Sequence, residues 1–296
     1  MVSRRAALLS ILAAASLPAA SPQPLPERIF LENINAIRRG KGLAPLALDP
    51  ALSAFARRRV DEVLAPDGSD VPLVGDALHA RAEKDGYDAR FLAELIVESE
   101  GDDLAAVEAS WAEGSTGRPF VLRDDIHDLG IGIGRRGAAR GYVFLFGLSA
   151  KGSFEERTKD LPADRATLVS RMLARVNEER RNFGRAPLRV NPRLDRAAQS
   201  HADDMLARSF YGHNDPEGRG PFQRALASGY RPLSVGENIA RGEFSLPEVM
   251  DGWMKSEPHR RDLLDPVFVD VGFGFARGKN ANGYQVLWVQ LFGREK

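Results

Sequence analysis

The chain has 296 residues, about twice a common domain, so two domains are expected. Lys plus Arg and Asp plus Glu each number 41, so the formal charge is zero and no field draws the whole molecule to nucleic acid or an anionic membrane. Hydrophobic residues at 43 % can build cores, and the absence of cysteine excludes a disulfide, a thiolate metal site and a cysteine nucleophile.

At the start, Ser3-Arg4-Arg5, an apolar run from Ala6 to Ala15 and Leu17-Pro18-Ala19-Ala20 follow the basic, apolar, small-residue order of a signal peptide cleaved near Ala20. The arginine pair suits a twin-arginine leader or an ordinary Sec leader. The apolar run is roughly half the ~20 residues that a membrane span needs. A secreted or periplasmic protein is expected, with no transmembrane segment after signal removal.

Beyond residue 25 the chain repeats itself once. Asn35-Ala36-Ile37-Arg38-Arg39 and Gly42-Leu43-Ala44-Pro45-Leu46 return as Asn177-Glu178-Glu179-Arg180-Arg181 and Gly184-Arg185-Ala186-Pro187-Leu188, 142 residues on. Gly86-Tyr87 and Glu94 return as Gly229-Tyr230 and Glu237 at 143. Trp111 and Asp128-Leu129-Gly130-Ile131-Gly132 return as Trp253 and Asp270-Val271-Gly272-Phe273-Gly274 at 142 again. A period this long marks a duplicated domain rather than a solenoid unit. The copies are placed at 25–150 and 164–296, with the polar stretch 151–163 as linker.

In the second copy, Leu168, Met172, Leu173 and Val176 recur at helical spacing until Gly184, a C′ residue. Asn191-Pro192 opens a second helix with Leu194, Ala198, Ala202 and Met205 on one face, and Ser245-Leu246-Pro247-Glu248 has the form of a capping box for a third. Val267–Ala276 and Tyr284–Phe292 are β-rich and joined through Asn282-Gly283, a hairpin. Both faces of the last strand are apolar, Trp288 and Phe292 on one and Leu287, Val289 and Leu291 on the other, so helices are expected on both sides of the sheet.

Five histidines occur in the chain and three, His201, His213 and His259, fall within this copy. His213 sits in the turn-rich Tyr211-Gly212-His213-Asn214-Asp215-Pro216, His259 follows Pro258, and Glu237 stands in Gly236-Glu237-Asn238-Ile239-Ala240. Two imidazoles and a carboxylate have the ligand count of a zinc site with an open position, so His213, Glu237 and His259 are the candidate ligands of a divalent cation. His201 lies on the apolar side of its helix and reads as packed, and Trp253, whose counterpart persists, reads as core. Ser256, three residues before His259, is at helical distance for a Ser–His contact. There is no His-Glu-x-x-His pair, and Gly147-Leu148-Ser149-Ala150-Lys151 lacks the second glycine of a nucleophile elbow.

Phe210-Tyr211-Gly212-His213, Gly236-Glu237-Asn238-Ile239-Ala240, Gly252-Trp253-Met254-Lys255-Ser256, His259-Arg260-Arg261-Asp262-Leu263-Leu264 and Val289-Gln290-Leu291-Phe292-Gly293 resemble a bacterial, cysteine-free CAP domain. That superfamily comprises cysteine-rich secretory proteins, antigen 5 and pathogenesis-related 1. The resemblance covers Leu168 to Gly293 and reaches Ile29 through Gly147 by the repeat. It implies an α+β fold, two tandem three-layer α-β-α sandwiches, with a surface cleft that commonly holds two histidines and two glutamates. His213, Glu237 and His259 match three of them, and Ser256 stands where the second glutamate would, with Glu257 one residue late. In the first copy Gly117 stands opposite His259 and Asp70 or Val71 opposite His213, so only Glu94 remains and that copy reads as degenerate. His79 and His127 lie elsewhere and read as surface or structural. The resemblance implies a non-enzymatic module that binds a small hydrophobic ligand, an envelope component or a protein partner; nucleic acid is disfavoured by the zero net charge. The rival readings are a metal-dependent hydrolase with Glu237 moving the proton, and a structural envelope protein.

Overall fold

The computed structural model describes residues 26–68, 71–101, 103–112 and 116–296; the expected leader and Asp70 lie outside the described residues. One order of elements occurs twice. The first copy runs α1 (Pro26–Arg39), β1 (Ala47–Leu48), α2 (Pro50–Val63), α3 (Gly75–Lys84), β2 (Ala89–Glu100), α4 (Leu104–Ala112), α5 (Arg118–Val121), β3 (Asp128–Arg136) and β4 (Ala139–Ser149). Helix α6 (Ala150–Thr158) comes next. The second copy runs α7 (Arg165–Asn182), β5 (Arg189–Val190), α8 (Pro192–Ala207), α9 (Pro221–Ala227), β6 (Pro232–Arg241), α10 (Leu246–Lys255), α11 (Glu257–Leu264), β7 (Asp270–Asn280) and β8 (Gly283–Glu295). Each copy has one four-stranded sheet, ordered β1-β3-β4-β2 and β5-β7-β8-β6.

The sheet of the second copy carries helices on both faces because β8 is apolar on both. Trp288 and Phe292 pack with Leu168, Met172, Val176 and Trp253 from α7 and α10, whereas Leu287, Val289 and Leu291 pack with Leu194, Ala198 and Met205 of α8. Each such side chain contributes about 1.5–3 kcal/mol of burial. The hairpin and caps follow the sequence signals: β7 pairs antiparallel with β8 from Asp270↔Gly293 to Asn280↔Gly283, Asn191 caps α8 by accepting from Arg193 N, and Gly184 takes φ +67° after α7. The repeated glycines have a close-approach role. A Cβ on Gly272 or Gly274 would lie 2.2 Å from the Leu194 backbone and 2.1 Å from Ala198 O, so only hydrogen lets β7 touch α8.

Two polar clamps fix the connections of this copy. Asn177 brackets Leu188, donating to its carbonyl and accepting its N–H, at 2.9 and 2.8 Å. Arg180, 1 % exposed, donates to the carbonyls of Ala186, Leu263 and Asp265, which ties α7 to the end of α11. The first copy repeats both, with Asn35 around Leu46 and Arg38 on the carbonyls of Ala44, Val121 and Arg123. At the outer strand of the second sheet, β6, the Trp253 indole N–H donates to Ile239 O at 3.3 Å.

The stretch read as linker contains the helix α6. Ser149 caps it by accepting from Gly152 N, Lys151 and Glu155 face outward, and Phe154 packs against Phe244 and Tyr284. Its polar composition is that of an exposed helix face, with one aromatic ring turned inward. No helix among the described residues is long and apolar enough to cross a membrane.

Candidate functional site

Strand β6 organises the site and has weak sequence signals, because Gly236, Glu237 and Asn238 are all poor strand formers. Pairing with β8 fixes it, with Glu237 opposite Leu291 and Asn238 opposite Gln290. Glu237 is therefore a buried strand residue, not a turn cap.

Successive residues of a strand face opposite sides, so Glu237 and Asn238 serve different faces. On the α8 side, Glu237, with a side chain 1 % exposed, accepts from His213 Nδ1 at 2.9 Å through Oε1 and from the Arg224 guanidinium at 2.6 Å through Oε2. Arg224 also donates to the carbonyls of His213 and Arg219, at 2.8 Å each, and so closes the loop over the pair. On the other face, Asn238 donates to His259 O at 3.0 Å and to Gln290 at 3.4 Å, which anchors the start of α11. A Cβ on Gly236 would lie 2.8 Å from the Phe268 ring and 3.4 Å from Asp262, so this glycine lets the α11 side close onto the strand.

Electrostatics separates the two imidazoles. The hydrogen bond to Glu237 raises the pKa of His213, whose side chain is 52 % exposed. Burial lowers that of His259, and the nearby charge of His213 lowers it further. Burial also raises Asp262. A carboxylate can only accept, so His213 Nδ1 carries a proton and its Nε2 is the nitrogen left to accept or donate outward.

Of the expected residues, His213 and Glu237 are joined directly, and His259, whose backbone carbonyl accepts from Asn238, lies within electrostatic reach of His213. Ser256 ends α10 and opens α11, half-buried, and its hydroxyl makes no hydrogen bond among the described residues. His201 is packed, 1 % exposed, with Nε2 at 2.9 Å from Gly212 O. Trp253 is core. Sequence reasoning missed Arg224, for which the only signal was Pro221 opening a helix on which it is the fourth residue, and Tyr211, whose ring stacks under Arg241 at 4.8 Å.

The donor set does not suit a resident metal ion. Both oxygens of Glu237 are engaged, one by a fixed guanidinium, and no group of three or more His, Asp or Glu among the described residues is arranged to hold a cation.

The first copy has no such arrangement among the described residues. Val71 is exposed and its carbonyl accepts from Arg59, Glu94 accepts from Leu73 N, and a Cβ on Gly117 would lie 2.7 Å from Leu95 and 2.8 Å from Ser110 O.

Comparison with known proteins agrees with the duplication. The profile of the Cysteine-rich secretory protein family, CAP, matches residues 31–146 and again 173–292. The uncharacterized protein YkwD of Bacillus subtilis (strain 168) is 29 % identical over 135 residues, 46 % of this chain and 50 % of that protein. The chain thus spans about half the length of this relative. Among solved structures, an outer surface protein from Borrelia burgdorferi is 22 % identical over 43 % of this chain and 92 % of its own, with a TM-score of 0.38. An extracellular protein containing a SCP domain from Bacillus anthracis str. Ames is 18 % identical over 53 % of this chain and 52 % of its own, also at 0.38. The chain belongs to the Cysteine-rich secretory protein family, CAP, with one match in each of its two copies.

Proposed function

We propose that the protein is an exported, non-enzymatic binding module whose second copy takes a ligand or partner at the cleft of His213, Glu237 and His259. The observation that carries this reading is the Arg224–Glu237–His213 chain. It holds one imidazole rigidly, half-exposed, with an outward nitrogen ready for a hydrogen bond, while its charges are already compensated inside the protein. Preorganised polar groups of this kind anchor ligands at small entropic cost. Export is supported by the leader-like order of residues 1–20 and by membership of a family described as secretory.

A hydrolase is the second reading, because a buried carboxylate on Nδ1 with Nε2 outward is also how a general base is oriented. The candidate Ser256 hydroxyl makes no hydrogen bond to that imidazole among the described residues.

Melting temperatures recorded with panels of short glycans, peptides and lipids, for wild type and the His213→Ala/His259→Ala variant, test the proposal. One class should stabilise the wild type and not the variant. Turnover of peptide, ester or peptidoglycan substrates that disappears in Glu237→Gln would establish the hydrolase instead. Zinc titrated into both proteins should give the same heats; binding lost in the variant would restore a metal centre.

A further inference from the structure

A second concavity lies along α8. Arg196, Ser200, Asp203 and Ala207 recur at helical spacing on one wall of an open pocket of about 850 Å3, and residues between 215 and 228 form the opposite wall. This volume suits a ligand of several hundred daltons. Much of its rim is self-neutralised. Arg208 donates to Asp204 at 2.7 Å and to Glu217 at 2.6 Å, and Arg219 donates to Asp215 at 2.7 Å.

Among the described residues, four groups keep unused capacity. Arg196, exposed, touches only Ser228 O, at 3.3 Å. Asp203, also exposed, accepts only from the Gln199 amide, at 2.9 Å. Both His201 and Arg224 line the pocket, and His201 Nδ1 and Arg224 Nε are buried with no hydrogen-bond partner. The Gly212 carbonyl can only accept, so His201 Nε2 carries the proton, and in the neutral ring that burial favours Nδ1 is an open acceptor. The pocket thus offers a cation at one end and an anion at the other, while these two buried nitrogens lie behind its wall. Arg196 and Asp203 are seven positions apart, a rise of ~10.5 Å along the helix, about the length of three extended residues.

The first copy differs at two of these positions. Arg59 stands in place of His201 and takes over the loop contact, donating to Val71 O at 2.9 Å with a longer side chain that is only 5 % exposed. Ala54 stands in place of Arg196.

We infer that this pocket binds a short peptide with free ends, its carboxylate on Arg196 and its ammonium on Asp203. The site adjoins the cleft proposed above and shares Arg224 with it, but its two charged anchors, Arg196 and Asp203, take no part in that cleft.

Calorimetric titration of the whole chain with trialanine, and with N-acetylated, C-amidated trialanine, tests it. The free peptide should bind, and capping should weaken it about tenfold or more, the value of a charge-assisted contact. Arg196→Ala and Asp203→Asn should each cost a similar factor while leaving circular dichroism and Tm unchanged, since both positions are exposed. Binding should persist in His213→Ala/His259→Ala; loss there would place the peptide in the cleft and overturn the assignment. Absence of heat with free trialanine, equal binding of the capped form, or undiminished binding by both pocket variants would also overturn it.

Discussion

In the first copy the Arg38 guanidinium gathers the carbonyls of Ala44, Val121 and Arg123; in the second, Arg180 gathers those of Ala186, Leu263 and Asp265. Tyr87 donates to Asp128 as Tyr230 does to Asp270, and Gly132 meets the backbone of Ala56 as Gly274 meets that of Ala198. The copies part at the cleft. Arg81 and Glu94 stand where Arg224 and Glu237 do, 143 residues earlier, but Asp70 or Val71 and Gly117 stand at the histidine positions. At Gly117 even a methyl group would collide with Leu95 and Ser110, so packing has closed over the place of the second imidazole. Buried backbone groups need partners whatever the protein does, so the clamps persist. An imidazole facing solvent is needed only where something binds, so it can be lost without harm to the fold.

The comparison can be broken most severely at the clamps. Arg180→Met and Arg38→Met each strand three carbonyls without their charged donor, and each should cost about 3 kcal/mol in urea unfolding. An effect in one copy alone would show that the second clamp is ornamental. Next come the close-approach glycines: Gly274→Ala and Gly132→Ala should each lose about 1–3 kcal/mol, seen as a fall in Tm, because the new Cβ meets helix backbone. Glu237→Gln sharpens the difference between the copies. It leaves Arg224 facing a neutral amide, should cost about 1–2 kcal/mol, and should return the His213 pKa toward its ordinary value when followed by NMR. The smallest effect is on pH dependence. Because the His213 pKa is raised above about 6.5, its contact with Glu237 stabilises fully below that pH and is lost as pH rises through the raised value. The lowered pKa of His259 acts in the other direction, destabilising as pH falls from about 6.5 through the lowered value. A plot of Tm against pH should lose its alkaline decline in His213→Ala and keep its acidic one.

Much of this architecture was legible in the residues. The apolar spacing of Leu168, Met172 and Val176, the caps at Asn191 and Ser245, and the two apolar faces of β8 each report local physics, and they give the helices, the hairpin and the layering. The repeat was legible because the glycines and the buried Asn and Arg clamps tolerate no drift. Strand β6 was not, since Gly236, Glu237 and Asn238 form a strand only through pairing with β8. Arg224 was hidden for a related reason: it meets Glu237 across 13 residues and a helix, a contact that no local periodicity records. The strand alternation that sets Glu237 and Asn238 on different faces becomes readable only once β6 is known.

The indole of Trp253 has a further consequence. A polypeptide that contains the same sheet twice always carries a second outer strand of matching shape, the ideal template for mispairing while it folds or when two molecules meet. With the carbonyl of Ile239 already taken by Trp253, a visiting strand finds that position of β6 occupied. The indole thus belongs to core and edge at once, its rings filling the one while its N–H takes a backbone acceptor of the other.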